Sequence, residues 1–119
     1  MQPESGAHLW DAAESARLVR DFARGKTEAD FISDLLIRSA IERQLEVLGE
    51  ALNRLRKYDA FTANRVPDLD RIIGMRNILA HEYGEIDYEI VWRAATVSIP
   101  ALIPVLDELV QEARDAAGL

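Results

Sequence analysis

The sequence of 119 residues contains no cysteine. This absence excludes a disulfide framework, a thiolate metal site and a cysteine nucleophile. A chain without cysteine is well suited to a reducing compartment, and we expect the protein to be cytoplasmic.

Long apolar runs are also missing from the sequence. The N-terminal stretch "MQPESGAHLWDAAESARLVRD" does not begin with basic residues followed by an apolar block, so we expect no signal peptide. No apolar run approaches the roughly 20 residues that a membrane span requires, and we therefore expect no membrane partner.

Positive charge is scarce. The chain has 14 Lys and Arg residues against 21 Asp and Glu residues, which gives a net charge of −7. An acidic protein is a poor general binder of nucleic acid, because affinity for the backbone comes mostly from Lys and Arg that neutralise phosphates. Twelve of the 14 basic residues lie before position 77, however, so a local basic surface is possible. Long featureless duplex is not the expected target.

What the sequence does contain is helical periodicity. Apolar residues recur at helical spacing almost throughout, and no segment alternates in the manner of a strand. The length fits one domain, residues 1–119. We predict an all-α fold, an antiparallel four-helix bundle. Its helices are predicted over residues 7–24, 27–58, 69–83 and 88–113.

Local signals define the ends of these helices. Gly25 is expected to end the first helix, and Thr27 with Asp30 forms a capping-box pattern at the start of the second. Asp68 and Gly84 are expected to flank the third. Pro100 and Pro104 predict a kink near Ser98 in the last helix. Gly49 within the second helix predicts a close approach of another helix. The same helix carries a predicted packing seam, which consists of Ile41, Leu45, Leu48, Leu52 and Leu55.

The third predicted helix ends in "GMRNILAHEY", residues 74–83, where four polar residues share a broad face. Metal-independent cleavage of RNA requires proton transfer, which suits His81, and a cation at the phosphorane, which suits Arg76. Asn77 could orient the scissile group or the imidazole. One such histidine per chain falls short of an acid–base pair, and a two-fold dimer would supply the second.

The same residues also have a purely structural interpretation. Arg76 would then be an exposed salt-bridge partner, Asn77 and His81 a helix-end cap, and Tyr83 a packed ring. Spacing alone favours this interpretation, because isolated motif matches often mislead.

Other polar and aromatic residues have ordinary explanations. Glu42, Glu46 and Glu50 form a stripe that we expect to be solvated or to face a dimer partner, paired with Arg43 or Arg54. No E-x-x-H pattern accompanies it, so we predict no metal site. We further expect no special role for His8, core or interface positions for Trp10 and Trp92, a solubility role for the cluster "NRLRKY", and only weak support for Tyr88 as a modification site.

Two longer segments carry a family resemblance. "RNILAHEY", together with "IERQLEVLGEALNRL" at residues 41–55, resembles the HepT-like branch of the HEPN domains. In that family an Arg, four intervening residues, a His, any residue and a Tyr close the third helix. These positions are Arg76, His81 and Tyr83 here, with Asn77 in its usual place. The resemblance continues to "DYEIVWRAATVSIPALIPVLDEL". Leu69 departs from the tryptophan of many relatives, which should affect packing more than chemistry.

The resemblance implies a toxin of a two-component toxin–antitoxin system. Such toxins are homodimers that cleave RNA without a metal ion or cofactor, with Arg76, Asn77 and His81 at the catalytic site. Their partner is a minimal nucleotidyltransferase antitoxin that transfers AMP from ATP onto Tyr83. Two alternatives stay open at this stage: a non-catalytic nucleotide- or RNA-binding module that works with a nucleotidyltransferase, and a plain helical assembly domain.

Overall fold

A computed structural model describes residues 1–81 and 86–118, and of residues 80 and 81 it describes the backbone alone. All regular structure in these ranges is helical, which confirms the all-α prediction. The α-helices are α1 (Ser5–Ala23), α2 (Glu28–Ser33), α3 (Leu35–Tyr58), α4 (Ala60–Ala63), α5 (Leu69–His81), α6 (Tyr88–Arg93) and α7 (Ile99–Ala116), and a π-helical turn, Ala94–Ser98, joins the last two.

The long helices pack as a bundle. α3 lies between α1 and α5, and α1 also packs against α7. Neighbouring helices run antiparallel: Ser5 at the start of α1 reaches Asp59 just after α3, and Arg56 near the end of α3 pairs with Asp70 near the start of α5. The core is one cluster in which the predicted seam of α3 is buried, namely Ile41, Leu45, Leu48, Leu52 and Leu55.

The predicted second helix is two helices, so the prediction of a continuous helix over residues 27–58 is wrong. The capping box is present, because the Thr27 and Asp30 side chains each accept from the other residue's backbone N–H, at 3.1 and 2.9 Å. Asp34 then has an extended backbone, and its carboxylate accepts from the N–H groups of Leu36 and Ile37. One aspartate thus ends α2 and begins α3.

The connection between α3 and α5 is more structured than the sequence predicts, because α4 forms within it. Asp59 caps α4 through Thr62 and also binds the N-terminal segment, accepting from the Gln2 N–H at 3.0 Å and the Ser5 hydroxyl at 2.8 Å. Burial raises the pKa of Asp59, but hydrogen bonds from Thr62, Gln2 and Ser5 outweigh this effect and hold the pKa well below its usual value.

The start of α5 departs from an ordinary cap. Its first residue follows Asp68, as predicted, and the Asp68 carbonyl accepts from the Ile72 N–H at 3.0 Å. The backbone of Asp68 is left-handed, with φ of 59°, whereas an N-cap residue usually has an extended backbone. Aspartate tolerates this conformation better than most residues do.

The last predicted helix is interrupted close to the expected kink. The Ile99 N–H donates to the Ala94 carbonyl, five residues back, which is the π-helical pattern. The turn ends at Ser98, two residues before Pro100. Proline cannot donate a backbone hydrogen bond, so the helical ladder is disrupted here.

Within the described residues, one helical stretch could cross a membrane by length and composition alone, which differs from the expectation of no segment of that kind. It is Tyr88–Ala116, with a mean hydropathy of 1.4 in its most apolar window, of which 39% is buried within the protein. Its buried residues, among them Leu102, Leu106 and Leu109, belong to the core cluster. A core helix can have the same composition.

Candidate functional site

Arg76 lies where α5 approaches α3 most closely. A Cβ atom added at Gly49 would overlap the Cβ of Arg76 and would lie 2.9 Å from its Cγ and 3.3 Å from the Ile72 carbonyl oxygen. Cβ contacts under 3.0 Å are not tolerated without a shift of one partner. Glycine at position 49 therefore lets the base of the Arg76 side chain rest directly on α3, as the predicted close approach requires.

Two hydrogen bonds orient the guanidinium of Arg76. Its Nη2 donates to Oε2 of Glu50, and its Nη1 donates to Oδ1 of Asn77 at 2.5 Å. The side chain of Arg76 is only 24% exposed. A guanidinium has five N–H donors, and these bonds use two of them. The group is thus held in one orientation, and among the described residues its other three donors have no acceptor.

Glu50 binds a second arginine as well. The Nε of Arg54, one turn along α3, donates to Oε1 of Glu50 at 3.1 Å. Each oxygen of the carboxylate therefore accepts from a different arginine. The expected pairing of the glutamate stripe is confirmed by Arg54 with Glu50 and by Arg43 with Glu46, whose N–O distance is 3.5 Å.

Sequence reasoning missed the contact between Glu50 and Arg76. The two residues are 26 positions apart and meet only because α3 and α5 pack side by side. The available signal was the position of Glu50 directly after Gly49, the residue expected at a helix–helix contact.

These side chains line a groove of about 440 Å³. The wall that α3 and α5 provide carries arginines and glutamates in pairs, and the wall that α1 provides carries His8, Asp11, Glu14 and Ser15. The groove residues of α3 and α5 are Arg43, Glu46, Val47, Glu50, Ala51, Arg54 and Arg76. The groove therefore combines both signs of charge and does not resemble a broad basic surface.

His8 has a more specific place than the sequence predicts. It is half-buried, lines the groove and contacts Tyr58 edge-on, with ring centroids 6.3 Å apart. Tyr58 is the last residue of α3, one turn beyond Arg54, so this imidazole lies at the Arg54 end of the groove.

Two of the predicted site residues are not fully described. The imidazole of His81 and the whole of Tyr83 lie outside the described part of the chain, so their places beside Arg76 stay predictions. The helical backbone of α5 does extend to His81. Five residues of α-helix place His81 about 7.5 Å further along the axis than Arg76.

The aromatic residues divide between core and surface. Trp92 packs against Phe31, with ring centroids 5.4 Å apart. Tyr88 contacts the Phe31 ring edge-on, and the guanidinium of Arg38 lies over the face of the Tyr88 ring. The core prediction for Trp92 is confirmed. Trp10 is 48% exposed and lies outside the core. Among the described side chains, no group of three or more His, Asp or Glu residues is arranged to hold a metal ion.

Comparison with known proteins identifies the family. Residues 12–109 match the family model described as "Ribonuclease HepT-like". "Putative RNase MJ1380" of Methanocaldococcus jannaschii is 34% identical over 96 residues, covering 81% of this chain and 87% of that protein. "Putative RNase TTE0752" of Caldanaerobacter subterraneus subsp. tengcongensis is 34% identical over 91 residues, covering 76% and 80%.

A further relative has the family name itself. "Probable ribonuclease HepT" of Thermococcus cleftensis is 30% identical over 95 residues, covering 80% of this chain and 86% of that protein. No solved structure gives a significant match. The family model spans most of the chain, including Arg76, Asn77 and the α3 segment that holds Arg76, and the chain belongs to the HepT-like ribonuclease family.

Proposed function

We propose that this protein is the toxin of a toxin–antitoxin pair, a homodimeric endoribonuclease that cleaves RNA without a metal ion. A nucleotidyltransferase antitoxin would neutralise it by attaching AMP to Tyr83. The observation that carries the proposal is the guanidinium of Arg76, held by Glu50 and Asn77 beside a groove, in a chain of a ribonuclease family.

The reaction is a transesterification. The 2′-hydroxyl oxygen of one nucleotide attacks the adjacent phosphorus, a P–O2′ bond forms, and the P–O5′ bond breaks. The 2′-hydroxyl proton passes to a base, and the leaving 5′-oxygen receives a proton from an acid. The products are a 2′,3′-cyclic phosphate and a 5′-hydroxyl.

Arg76 and His81 divide this chemistry. The remaining N–H donors of Arg76 bind the scissile phosphate and stabilise the negative charge that develops on its oxygens. His81 serves as the base because its neutral imidazole accepts a proton near pH 7. In a homodimer, the second copy of His81 is available as the acid. Asn77 fixes the guanidinium from its own helix.

Cleavage of RNA in EDTA by the purified, unmodified protein tests the ribonuclease. We expect products with 2′,3′-cyclic phosphate ends. Arg76→Ala should lose roughly 100- to 1,000-fold in rate, by analogy with removal of one oxyanion donor, and His81→Ala roughly 100- to 10,000-fold. Arg71→Ala is the matched control, since Arg71 is on α5, is 69% exposed and lies outside the groove.

Two results together would contradict the proposal. The purified wild type would leave RNA intact in this assay, and the wild type and His81→Ala would have the same effect on growth when expressed in cells. A growth assay with the wild type and His81→Ala makes that comparison. Cells that express the wild type should stop growing, and cells that express His81→Ala should not.

Neutralisation has its own test at Tyr83. AMP adds a phosphate and an adenine ring seven residues after Arg76 in the sequence, and we expect the new anion to compete with RNA for the guanidinium. We expect co-expression with the antitoxin to add the mass of one AMP, as intact mass spectrometry would measure, and to restore growth. Tyr83→Phe should stay unmodified and toxic; restored growth in that variant would mean that neutralisation works by binding.

One observation favours the alternative of a non-catalytic binding module. Asp11 and Glu14 lie on the wall opposite Arg76, and the chain has a net charge of −7, which weakens attraction to an RNA backbone. Under this alternative, the groove binds a nucleotide and Arg76→Ala weakens that binding, but no RNA is cleaved.

A further inference from the structure

We propose that Glu50 is a positioning residue for Arg76: its carboxylate sets the orientation in which the guanidinium meets the scissile phosphate. This inference rests on the proposed function. It assigns a role in the reaction to a residue for which the sequence predicts only a stripe that is solvated or faces a dimer partner.

Two adjacent residues of α3 determine the positions of both ends of the Arg76 side chain. Gly49 lets the Cβ of Arg76 contact α3 directly, and Glu50 accepts a hydrogen bond from the guanidinium at the other end. An arginine side chain with free rotation about its bonds loses much of its conformational entropy when it binds a phosphate. Here α3 fixes the side chain before RNA arrives, which is the preorganisation that electrostatic stabilisation requires.

Glu50 is itself fixed by Arg54. The Arg54 Nε donates to Oε1 at 3.1 Å, while Arg76 donates to Oε2. Arg54 is 63% exposed and Arg76 is 24% exposed, so the carboxylate lies between an outer and an inner cation. A carboxylate that accepts from two sides cannot turn without breaking one of these bonds.

The contact leaves Arg76 able to bind RNA. Two of its five N–H donors are directed to Glu50 and Asn77, and the other three have no acceptor among the described residues. These three include the Nε–H and one N–H on each terminal nitrogen, enough for a paired contact with a phosphate. Glu50 thus orients the guanidinium without occupying the whole of it.

Glutamine at position 50 gives a sharp test. The two arginines bind different oxygens of the carboxylate. An amide replaces one of these oxygens by an NH2 group that only donates, so Glu50→Gln keeps an acceptor in place for Arg76 or for Arg54 but not for both. We expect Glu50→Gln to lower kcat for RNA cleavage by roughly 10- to 100-fold, the scale of a misplaced reacting group, with little change in KM. Thermal unfolding should show that the variant folds.

The double variant Arg54→Ala/Glu50→Gln should recover part of the lost kcat, because the amide oxygen is then free for Arg76. Rescue by a second substitution would not follow from a merely structural role. Glu112→Gln is the matched control: Glu112 forms a similar two-bond pair with Arg65 away from the groove, at 3.0 and 2.6 Å. It should keep wild-type kcat and KM.

NMR of the arginine side chains provides a readout independent of RNA. Rotation about the Cζ–Nη bonds of Arg76 should be slow in the wild type and fast in Glu50→Gln. Equal rotation in the two proteins would overturn the inference even if Glu50→Gln folded poorly or cleaved slowly.

The kinetic outcomes separate this inference from the proposed function. If Arg76→Ala is inactive while Glu50→Gln matches the wild type, only the role of Glu50 is wrong. A lower KM with unchanged or higher kcat in Glu50→Gln would also overturn it, because Glu50 would then compete with the phosphate. If Arg76→Ala cleaves RNA as fast as the wild type, both proposals fail.

Discussion

At the scale of single residues, the site depends on Gly49, because a glycine has no side chain to push Arg76 away from α3. Gly49→Ala would place a Cβ against the Cβ of Arg76, so α5 must shift. Overpacking costs about 1–3 kcal/mol, and the higher helix propensity of alanine offsets about 1 kcal/mol of it. We expect a small loss of stability in urea but roughly a 10- to 100-fold slower cleavage of RNA, because Arg76 is displaced.

Gly74→Ala is the control for this prediction. Gly74 lies on α5, the helix that carries Arg76, and a Cβ added at Gly74 meets nothing within 4 Å. It should gain up to about 1 kcal/mol in stability and keep its activity. Similar activities of Gly49→Ala and Gly74→Ala would show that the close contact does not position Arg76.

At the scale of elements, aspartates at the ends of helices determine how the segments join. Asp59 caps α4 and binds the start of α1, and its pKa lies below the ordinary value of 3.8. A depressed pKa stabilises the fold fully above the unfolded-state pKa, and the contribution is lost as the pH falls through the folded-state pKa. The loss therefore begins near pH 4 and grows below it.

Asp59→Asn tests this contribution. We expect a loss of about 1–3 kcal/mol at pH 7, typical of buried hydrogen bonds to a charged group, and a smaller difference from the wild type at pH 3. Urea unfolding at both pH values measures it. Asp70→Asn is the control, since the Asp70 side chain is 93% exposed and pairs with Arg56 at the surface. A difference independent of pH would show that the charge of Asp59 is not what matters.

At the scale of the whole molecule, what the sequence predicts well is local. The capping box at Thr27 and the seam of α3 depend on residues a few positions apart, and both are confirmed. The break at Asp34 was missed because helical periodicity continues on both sides of it, although its side chain can cap the next helix. The place of Glu50 beside Arg76 and of His8 in the groove depends on helix packing, which spacing within one helix does not specify.

The catalytic interpretation of the motif likewise depends on more than the spacing of its residues. Spacing alone cannot separate a catalytic arginine from a surface one, whereas the family resemblance names Arg76, and the structure shows how it is held. The roles of the His81 imidazole and of Tyr83 follow from the resemblance alone.

The contact of Gly49 with Arg76 also constrains how this protein can evolve. Any side chain at position 49 displaces α5, so a substitution there can be accepted only together with other changes that accommodate the new position of α5. Glu50 is tied in the same way to two arginines on different helices. Positions 49, 50, 54 and 76 should therefore change together or not at all.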